Sequence, residues 1–478
     1  MPDTDIEKKI GQVYHIPQNL IPKREGIYKD LSEMLDRKTK TYPQFNDEFG
    51  DHTLMEFVDA SLKRLNGYTF TREEQGKEEW QNNFFNNTTR AKMKAIVASV
   101  ALQVPDFIYQ AINKAGIYST KRAELVKQLV RQSRTQDNPQ VEFFFEAWET
   151  AGAGTVVKYD GYLKTKHKRK FLTDFNQETG EVKFEEREEI VDDKAIDLLV
   201  PLSEFFIWDF HTPNVQDQPK LAWVKNYSKD EFEWEFARYK NAGFVKIKSA
   251  ISPFQTAREY YFYDKWQGRV ADDEVEVIRY YNKIEDRYEI WANGVPLLLA
   301  PLLWGKRNKK YPFSKTIFEP FEGKRFFYGN SFPHIVQGFQ DIKNTTWNTI
   351  LDKLYRSLVP PMLVGLANKD LLDIENEFVN QDDKIYVPDI NQVKPFPYPG
   401  INSGDLAILQ SVSASFDSIS IDPHQQGFTQ PGVTARAMLI ADERARELKG
   451  IFFTFLEDLW LQKERLRVIN VLMNYTQP

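Results

Sequence analysis

The sequence predicts an α+β fold. Three observations carry the prediction: helical three- and four-residue spacing of apolar residues between Leu54 and Ala151, a change to period two from Thr155, and a return to helical spacing between Tyr328 and Leu358.

Residues 1 to about 50 are polar and punctuated by proline, with one helical segment near Tyr28 to Arg37, and read as an arm crossing a surface or a neighbour. Leu54 to Leu65 and Glu73 to Lys114 carry helical spacing, with Trp80, Phe84, Met93, Ile96, Val97 and Val100 as core positions and a break near Asn86 to Arg90. Helices over Thr120 to Arg134 and Pro139 to Ala151 follow, and Gly152 and Gly154 end them.

Alternation then marks strands in TVVKYDGYLK, RKFLTDF and EVKFEEREEIV, with Glu178, Thr179 and Gly180 as the hairpin turn. The basic run Lys164 to Lys170 lies opposite the acidic run Glu181 to Glu189. Pairing of opposite charges across the strands accounts for both without a nucleic-acid partner. Leu199 to Phe210 reads as a further strand. Ser228 to Glu231 has the Ser-x-x-Glu capping pattern and opens a helix expected to reach Ala242. Glu259 to Phe262, Glu274 to Tyr281 and Arg287 to Ala292, with turns at Glu285-Asp286 and Asn293-Gly294, read as hairpins of a small separate β domain.

The helix that returns from this domain is the longest feature. Asn330 or Ser331 can cap it, Pro333 fits its first turn, and Pro360 and Pro361 end it. It should be one rod of roughly 40 Å at 1.5 Å per residue. A polar strip of Asp341, Lys343, Asn344, Asn348, Asp352 and Arg356 predicts one side facing water. Beyond it come short strands at Met362 to Val364 and Lys384 to Val387, with a helix around Lys369 to Phe378 between them. The rigid loop KPFPYPG (Lys394 to Gly400), a helix over Asp405 to Ser418, a loop over Ile419 to Val433 and a final helix capped by Thr434 complete the chain.

Composition narrows the function classes. The 478 residues include no cysteine, which removes disulfides, thiolate catalysis and Cys-ligated zinc. No apolar run approaches the roughly 18 residues that a membrane-spanning helix requires. A net charge of -6 argues against coating nucleic acid through a general basic field, and does not exclude a protein that lets DNA slide past. The six histidines, His15, His52, His167, His211, His334 and His424, stand at no metal-ligand spacing. Gly329-Asn-Ser331 lacks the second glycine of a nucleophile elbow, and the Gly-Lys pairs at 305 and 323 lack the upstream glycine of a phosphate loop. No cofactor is expected. One enzymatic alternative remains, a metal-dependent nucleic-acid-processing enzyme using Asp382, Asp383 and Asp389.

The order of several segments carries a resemblance. EWQNNFFNNTTRAKMKAIVASV before GTVVKYDGY, VPLSEFFIWDF before QDQPKLAWVKNYSKDEF, EVEVIRYYNKIEDRYEIWANGVPLL before the long helix, and PGVTARAMLIADERARELKGIFFTFLEDLW together resemble portal proteins of tailed bacteriophages. The podovirus-type and crAss-like ones are the most similar, over most of residues 54 to 470.

The resemblance implies a portal fold with wing, stem helices and β-rich clip, assembled as a ring of probably twelve copies around a central channel for double-stranded DNA. It divides the chain into an arm (1–53), a first wing part (54–227), a first stem helix (228–250), a clip (251–328) and a second stem helix (329–359). A second wing part (360–431) carries a channel-side loop at about 419–433, and a long helix toward a crown (432–478) follows; family members usually carry a helical crown after it, and here the sequence stops at Pro478. It implies Asn344, Asn348, Asp352, Arg356, Gln425, Gln426, Thr429 and Gln430 as channel-lining candidates, and Tyr280, Lys283, Asp286, Arg287 and Asn293 as docking candidates for motor or adaptor. The implied partners are the other copies, DNA, the major capsid protein, the terminase motor and tail adaptor proteins, with no membrane. The implied place is the portal vertex of the virion after assembly in the bacterial cytoplasm. A tail-adaptor ring is the other structural reading, although adaptors are generally much shorter.

Overall fold

The switch from helical to period-two spacing falls at Gly154. Its backbone is left-handed (φ 79°), which caps the preceding helix and lets a strand begin at the next residue. The computed structural model describes residues 16–46, 50–67, 77, 81–101, 104–110, 117–134, 138–175, 182–246, 274–302, 309–321, 325–358, 360, 362–365, 384–387, 394–395, 400–419 and 435–474.

In chain order the elements are α1 (Ile21–Lys38), α2 (Leu54–Leu65), α3 (Thr88–Ala101), α4 (Ile117–Arg134), α5 (Pro139–Ala153), β1 (Thr155–Phe175), β2 (Val182–Val200), β3 (Phe205–Ile207), β4 (Lys220–Ser228), α6 (Lys229–Phe236), β5 (Glu274–Asn282), β6 (Arg287–Ala292) and β7 (Val295–Ala300). There follow β8 (Phe313–Ile317), β9 (Glu319–Pro320), β10 (Gly329–Asn330), α7 (Phe332–Ile335), α8 (Gln337–Leu358), β11 (Met362–Gly365), β12 (Lys384–Val387), β13 (Lys394–Pro395), α9 (Ser403–Ile419) and α10 (Ala435–Asn474). The chain is thus a mixed helix and sheet protein. It divides into a first unit, Met1–Asp59, Val97–Ser331 and Lys449–Pro478, and a second, Ala60–Ile96 and Phe332–Leu448.

The first unit is built on an antiparallel five-stranded sheet in the order β3-β4-β5-β6-β7. Asp286 (φ 55°) sits in the β5–β6 turn, and Asn293 and Gly294 (φ 41° and 80°) form the β6–β7 turn, where left-handed backbone matches the twist of the strands. One face is covered by α1: Ile27, Leu31, Met34 and Leu35 pack on Phe206, Ala222, Val224, Ile278, Tyr280 and Trp291. The other face holds a larger, aromatic-rich core that includes Phe45, Phe57, Trp223, Tyr281, Phe313, Phe327 and Tyr328. Each such side chain contributes about 1.5–3 kcal/mol by leaving water. Lys38 is buried at the end of α1, where its ammonium donates to the carbonyls of Leu202, Ser203 (3.1 Å) and Phe205 (2.9 Å) and lies 4.3 Å from the centre of the Phe206 ring.

Three expectations need correction here. The N-terminal segment is no arm over its described part, because the apolar stripe of α1 is consumed by the sheet beneath it. Strands β5 to β7 form no separate domain: β4 pairs with β5 along its whole length, from Lys220↔Asn282 to Ser228↔Glu274, so the expected boundary at 227/228 cuts a hydrogen-bonded ladder. The helix opened by Ser228 does form its reciprocal capping box, but α6 stops at Phe236, far short of Ala242 or residue 250. Stacking of Phe232 on Phe236 and of Phe236 on Tyr239 keeps the apolar spacing going through the turn that replaces the helix, which is why periodicity overran it.

A second sheet of the same unit has the order β2-β1-β8. Its 21- and 19-residue strands β1 and β2 form an antiparallel ribbon about 65 Å long at roughly 3.3 Å per residue. The register sets Lys164 opposite Asp193, Lys168 opposite Glu188 and Lys170 opposite Glu186, with irregularities at Thr165/Lys166 and Leu172/Asp174. The expected turn at Glu178 to Gly180 lies outside the described residues. The end of α10, where Leu456, Leu459, Trp460 and Leu466 are buried, is bonded to this sheet by Thr316, which donates to Phe455 O (2.8 Å), and by Asn470, which donates to Asp160 O (3.1 Å). Gln462 bonds the backbone of β8 at Lys315 on both sides (3.2 and 3.4 Å), which covers an otherwise open edge.

In the second unit the long rod is interrupted at Val336. The bonds Val336 N–H to Phe332 O (3.2 Å) and Gln340 N–H to Val336 O (3.0 Å) persist, so α7 and α8 continue one path across an irregular turn. Helix α9 packs on α8, fixed by Lys353 and Asp405 at 2.6 Å. Strands β11 and β12 pair in parallel, and β13 adds antiparallel to β11. Among the expected core positions Met93, Ile96, Val97 and Val100 are buried and Phe84 is exposed. Helix is described only over α3 within the expected Glu73 to Lys114 stretch, and 81–87 there are extended or irregular. Trp80, Glu259 to Phe262 and Lys369 to Phe378 lie outside the described residues.

Candidate functional site

Helix α8 carries polar side chains at four-residue steps: Gln340, Asn344, Asn348 and Asp352. Four helical residues rise about 6 Å, close to the roughly 6.6 Å spanned by two extended residues, so such a stripe can bond alternate backbone amides of an extended segment. The extended residues 82–86 take that place, and the first turn of α3 adds Thr89 at the end of the row. Asn82 N–H donates to Asp352 (2.7 Å), Phe84 N–H to Asn348 (2.8 Å), Asn86 N–H to Asn344 (3.1 Å) and Thr89 N–H to Gln340 (3.1 Å). The amide of Asn348 returns a bond to Phe84 O (3.1 Å), and that of Gln340 to Asn86 O.

This ladder corrects the site expected on α8. Asn344, Asn348 and Asp352 are expected on a channel wall facing water, but both polar atoms of Asn348 and the Oδ1 atoms of Asn344 and Asp352 bond the chain's own backbone. Arg356 is half-buried one turn further on. Gln425, Gln426, Thr429 and Gln430 lie outside the described residues, as do Asp382, Asp383 and Asp389. Replacing Asn348 with alanine is expected to cost about 1–3 kcal/mol by stranding both polar groups of Phe84. Hydrogen exchange at the Phe84 amide and urea unfolding would measure it, and unchanged exchange would contradict the ladder.

The docking candidates divide as well. Lys283, Asp286 and Arg287 gather at the β5–β6 turn, while Asn293 sits at the opposite end of β6. Lys283 donates to Gln216 O (2.6 Å), Asp286 pairs with Lys309 (3.8 Å), and Arg287 pairs with Glu285 and with Glu289 (2.6 Å). Asn293 is a turn residue whose side chain accepts from Glu276 N–H (3.0 Å) and donates to Lys246 O (2.8 Å). Tyr280 is 1% exposed beneath α1 and donates to Asp30, so it offers a partner no surface.

A charge cluster that sequence reasoning missed lies inside the first unit. Glu142 and Glu146 from α5, Lys158 and Asp160 from β1, Asp197 from β2 and Lys463 from α10 converge there. Lys158 reaches Glu146 and Asp197 (both 3.0 Å) and Glu142 (3.3 Å); Lys463 reaches Glu146 (2.5 Å), Glu142 (2.9 Å) and Asp197. Both Asp197 oxygens sit within ion-pair range of an ammonium without the alignment of a hydrogen bond. Trp460 donates to Glu146 (2.6 Å), and Ser314 to Asp160 (2.7 Å). Burial alone would raise the Asp197 carboxyl, but the ammoniums of Lys463 and Lys158 outweigh it and hold it well below the usual carboxylate range. Burial and the neighbouring Asp197 push Asp160 the other way.

Oxygens of Glu142, Glu146 and Asp197 approach one another within 4.8 Å, a spacing that suits a metal ion. The two lysine ammoniums already occupy the positions between them, so the donor set is one of internal ion pairs.

A cleft of about 520 Å³ opens beside β8, lined by residues that include Asn214, Gln216, Lys315, Asp458, Gln462 and Arg465. Lys315 donates to Pro213 O (2.7 Å) and Phe327 O and lies 4.3 Å from the Phe327 ring centre. Burial pushes its amine down to about 7, against the pull of Asp458. The unfolded amine keeps its proton to the ordinary lysine value, so between these two values the unfolded state binds more protons. Wild-type stability relative to Lys315→Met should therefore rise with pH from 7 toward 10, by up to ~1.4 kcal/mol per pH unit. Urea unfolding of both proteins from pH 6 to 9.5 checks this, and parallel curves would mean that the amine stays charged.

No protein-family model matches the chain, and comparison with curated proteins finds no match.

Proposed function

We propose that the chain is the portal subunit of a tailed bacteriophage. Identical copies, about twelve, form a ring at one capsid vertex. Double-stranded DNA is packaged and ejected through the ring's channel, and the terminase motor and then the tail adaptors dock on its outer end. The capsid shell contacts its wing, and the ring belongs to the virion.

The observation that carries this reading is the order of elements. A helical block, the β1–β2 ribbon, the five-stranded sheet, the 22-residue helix α8 and the 40-residue helix α10 fall on the segments whose sequence resembles the family. The mildly acidic charge agrees with a conduit, since a basic wall would hold phosphates tightly. With the α8 stripe engaged internally, the channel role passes to the loop over Ile419 to Val433, and the docking role to the β5–β6 turn with Lys283, Asp286 and Arg287.

Negative-stain electron microscopy with light scattering tests the proposal. Rings with a central hole and about twelve times the 56.0 kDa chain mass are expected. A monomer that cuts DNA in the presence of a divalent metal, and loses that activity in Asp383→Ala, would replace the portal reading with the enzymatic one.

A further inference from the structure

The β1–β2 ribbon separates charge by strand. Beyond Leu163, β1 carries Lys164, Lys166, Lys168, Arg169 and Lys170 against the single acid Asp174, while β2 carries Glu185, Glu186, Glu188, Glu189, Asp192 and Asp193 against Lys183 and Arg187. Pairing of β1 with β8 ends at Tyr159, and Asn470 from α10 then bonds the carbonyls of Asp160 (3.1 Å) and Gly161 (3.3 Å). After Gly161 the described residues include no further strand on the outer edge of β1, and none along the outer edge of β2. Two such edges thus run side by side for roughly 45 Å, at about 3.3 Å per residue from Gly161 to Phe175, and over roughly 20 Å of that length, Lys164 to Lys170, they are predominantly of opposite charge.

We infer that this ribbon docks edge to edge on the ribbon of a second copy of this chain, the acidic β2 edge of one copy against the basic β1 edge of the next. Charge selects this pairing. Two β1 edges, or two β2 edges, would set like charges opposite each other, which blocks a two-fold contact. The β1-to-β2 contact instead flanks each basic strand with acidic strands on both sides. It is head-to-tail, the kind of contact that closes into a ring when its rotation permits. Ribbons pointing the same way around a rotation axis also bring β1 of one copy antiparallel to β2 of the next, so the ladder continues in the sense already present within the ribbon. A nucleic acid is the poorer occupant of the basic run, because a predominantly acidic run of β2 lies about 4.8 Å away beside it. The inference rests on the self-association in the ring reading but not on DNA conduction.

A whole-ribbon charge exchange tests it on the full chain. The variant combines K164E, K166E, K168E, R169E and K170E with E186K, E188K, E189K, D192K and D193K, so that opposite charges still face each other within the ribbon. Wild type and exchanged chain, labelled with different fluorophores, should each assemble alone, and mixed assemblies should fall at least about tenfold below the statistical share. Free mixing would overturn the ribbon contact and leave the ring reading standing, whereas a wild-type chain that stays monomeric would overturn both. Should the exchanged chain fail to fold, hydrogen exchange on wild type alone decides. Outer-edge amides of β1 between 163 and 175 gain protection on assembly if the ribbons dock, and exchange as in the monomer if they do not.

Discussion

Lys463→Met is expected to destabilise the first unit by about 3–5 kcal/mol at pH 7. The substitution keeps the apolar stem and removes the charge, leaving Glu142, Glu146 and Asp197 to share Lys158 in a site where Lys463 and Asp197 are nearly buried. Breaking a buried ion pair costs more than the pair contributes, because the surviving charges are neither solvated nor compensated. The pH dependence then steepens: burial already raises Glu142 and Asp160 in the wild type, and losing the Lys463 ammonium raises the carboxyls further. In the wild type the depressed carboxyl of Asp197 contributes stability that is present above the ordinary aspartate value and lost as the pH falls through its folded value. In the variant the crowded carboxyls hold protons more tightly than in the unfolded chain, so its deficit shrinks as the pH falls from 7 to 5. Urea midpoints at both pH values measure this. A loss below about 1 kcal/mol at pH 7 would mean that water reaches the cluster and screens it.

Gly329→Ala and Gly154→Ala are expected to be comparably damaging, for steric reasons. A β-carbon on Gly329 would lie 2.6 Å from the Ile317 β-carbon, 2.8 Å from Glu319 O and 2.9 Å from Gly154 O. On Gly154 it would run into the Gly329 carbonyl and lie 2.9 Å from the Asn330 carbonyl carbon, on a backbone with φ near +79°. The obstacles are mostly backbone, so no rotamer change relieves them. Left-handed strain alone costs about 1–2 kcal/mol at position 154, and the clash adds to it. Losses above about 3 kcal/mol in urea unfolding are expected for each. Gly26→Ala is the control: it lies in helix α1 with nothing within 4 Å of the new methyl, and should stabilise by about 0.5–1 kcal/mol. Equal effects at the three positions would contradict the packing described at the Gly154–Gly329 crossing.

What the sequence made legible was local. The spacing over Pro139 to Ala151, the capping box at Ser228 and Glu231, and the Asn293-Gly294 turn are each specified by residues within one or two turns of one another. Strand β4 escaped because Leu221 to Val224 are buried consecutively, so its two faces do not alternate. The charge cluster escaped for another reason: Glu142, Lys158, Asp197 and Lys463 look like surface residues until four distant elements fold together. On α8 the polar stripe was visible and its occupant was not. Gln340, at the same four-residue step as Asn344 and Asn348, was the available clue, since a regular row of amides suits a backbone better than it suits bulk water.

That row has a consequence for how the chain can vary. Helix α8 grips chiefly the main chain of 82–89, and three side chains of that segment add bonds of their own: Asn82 donates to Asp352 (2.8 Å), Thr89 donates to Gln340 (3.0 Å) and Thr88 accepts from Lys343 (2.9 Å). The main prohibition there is backbone-based: proline is barred at 82, 84, 86 and 89, the positions whose N–H is taken, while side-chain exchanges at 82, 88 or 89 remove at most one added bond each. The helix has no such licence. Two neighbouring stretches of one fold thus tolerate change under opposite rules, one by the shape of its backbone and the other by the identity of its side chains.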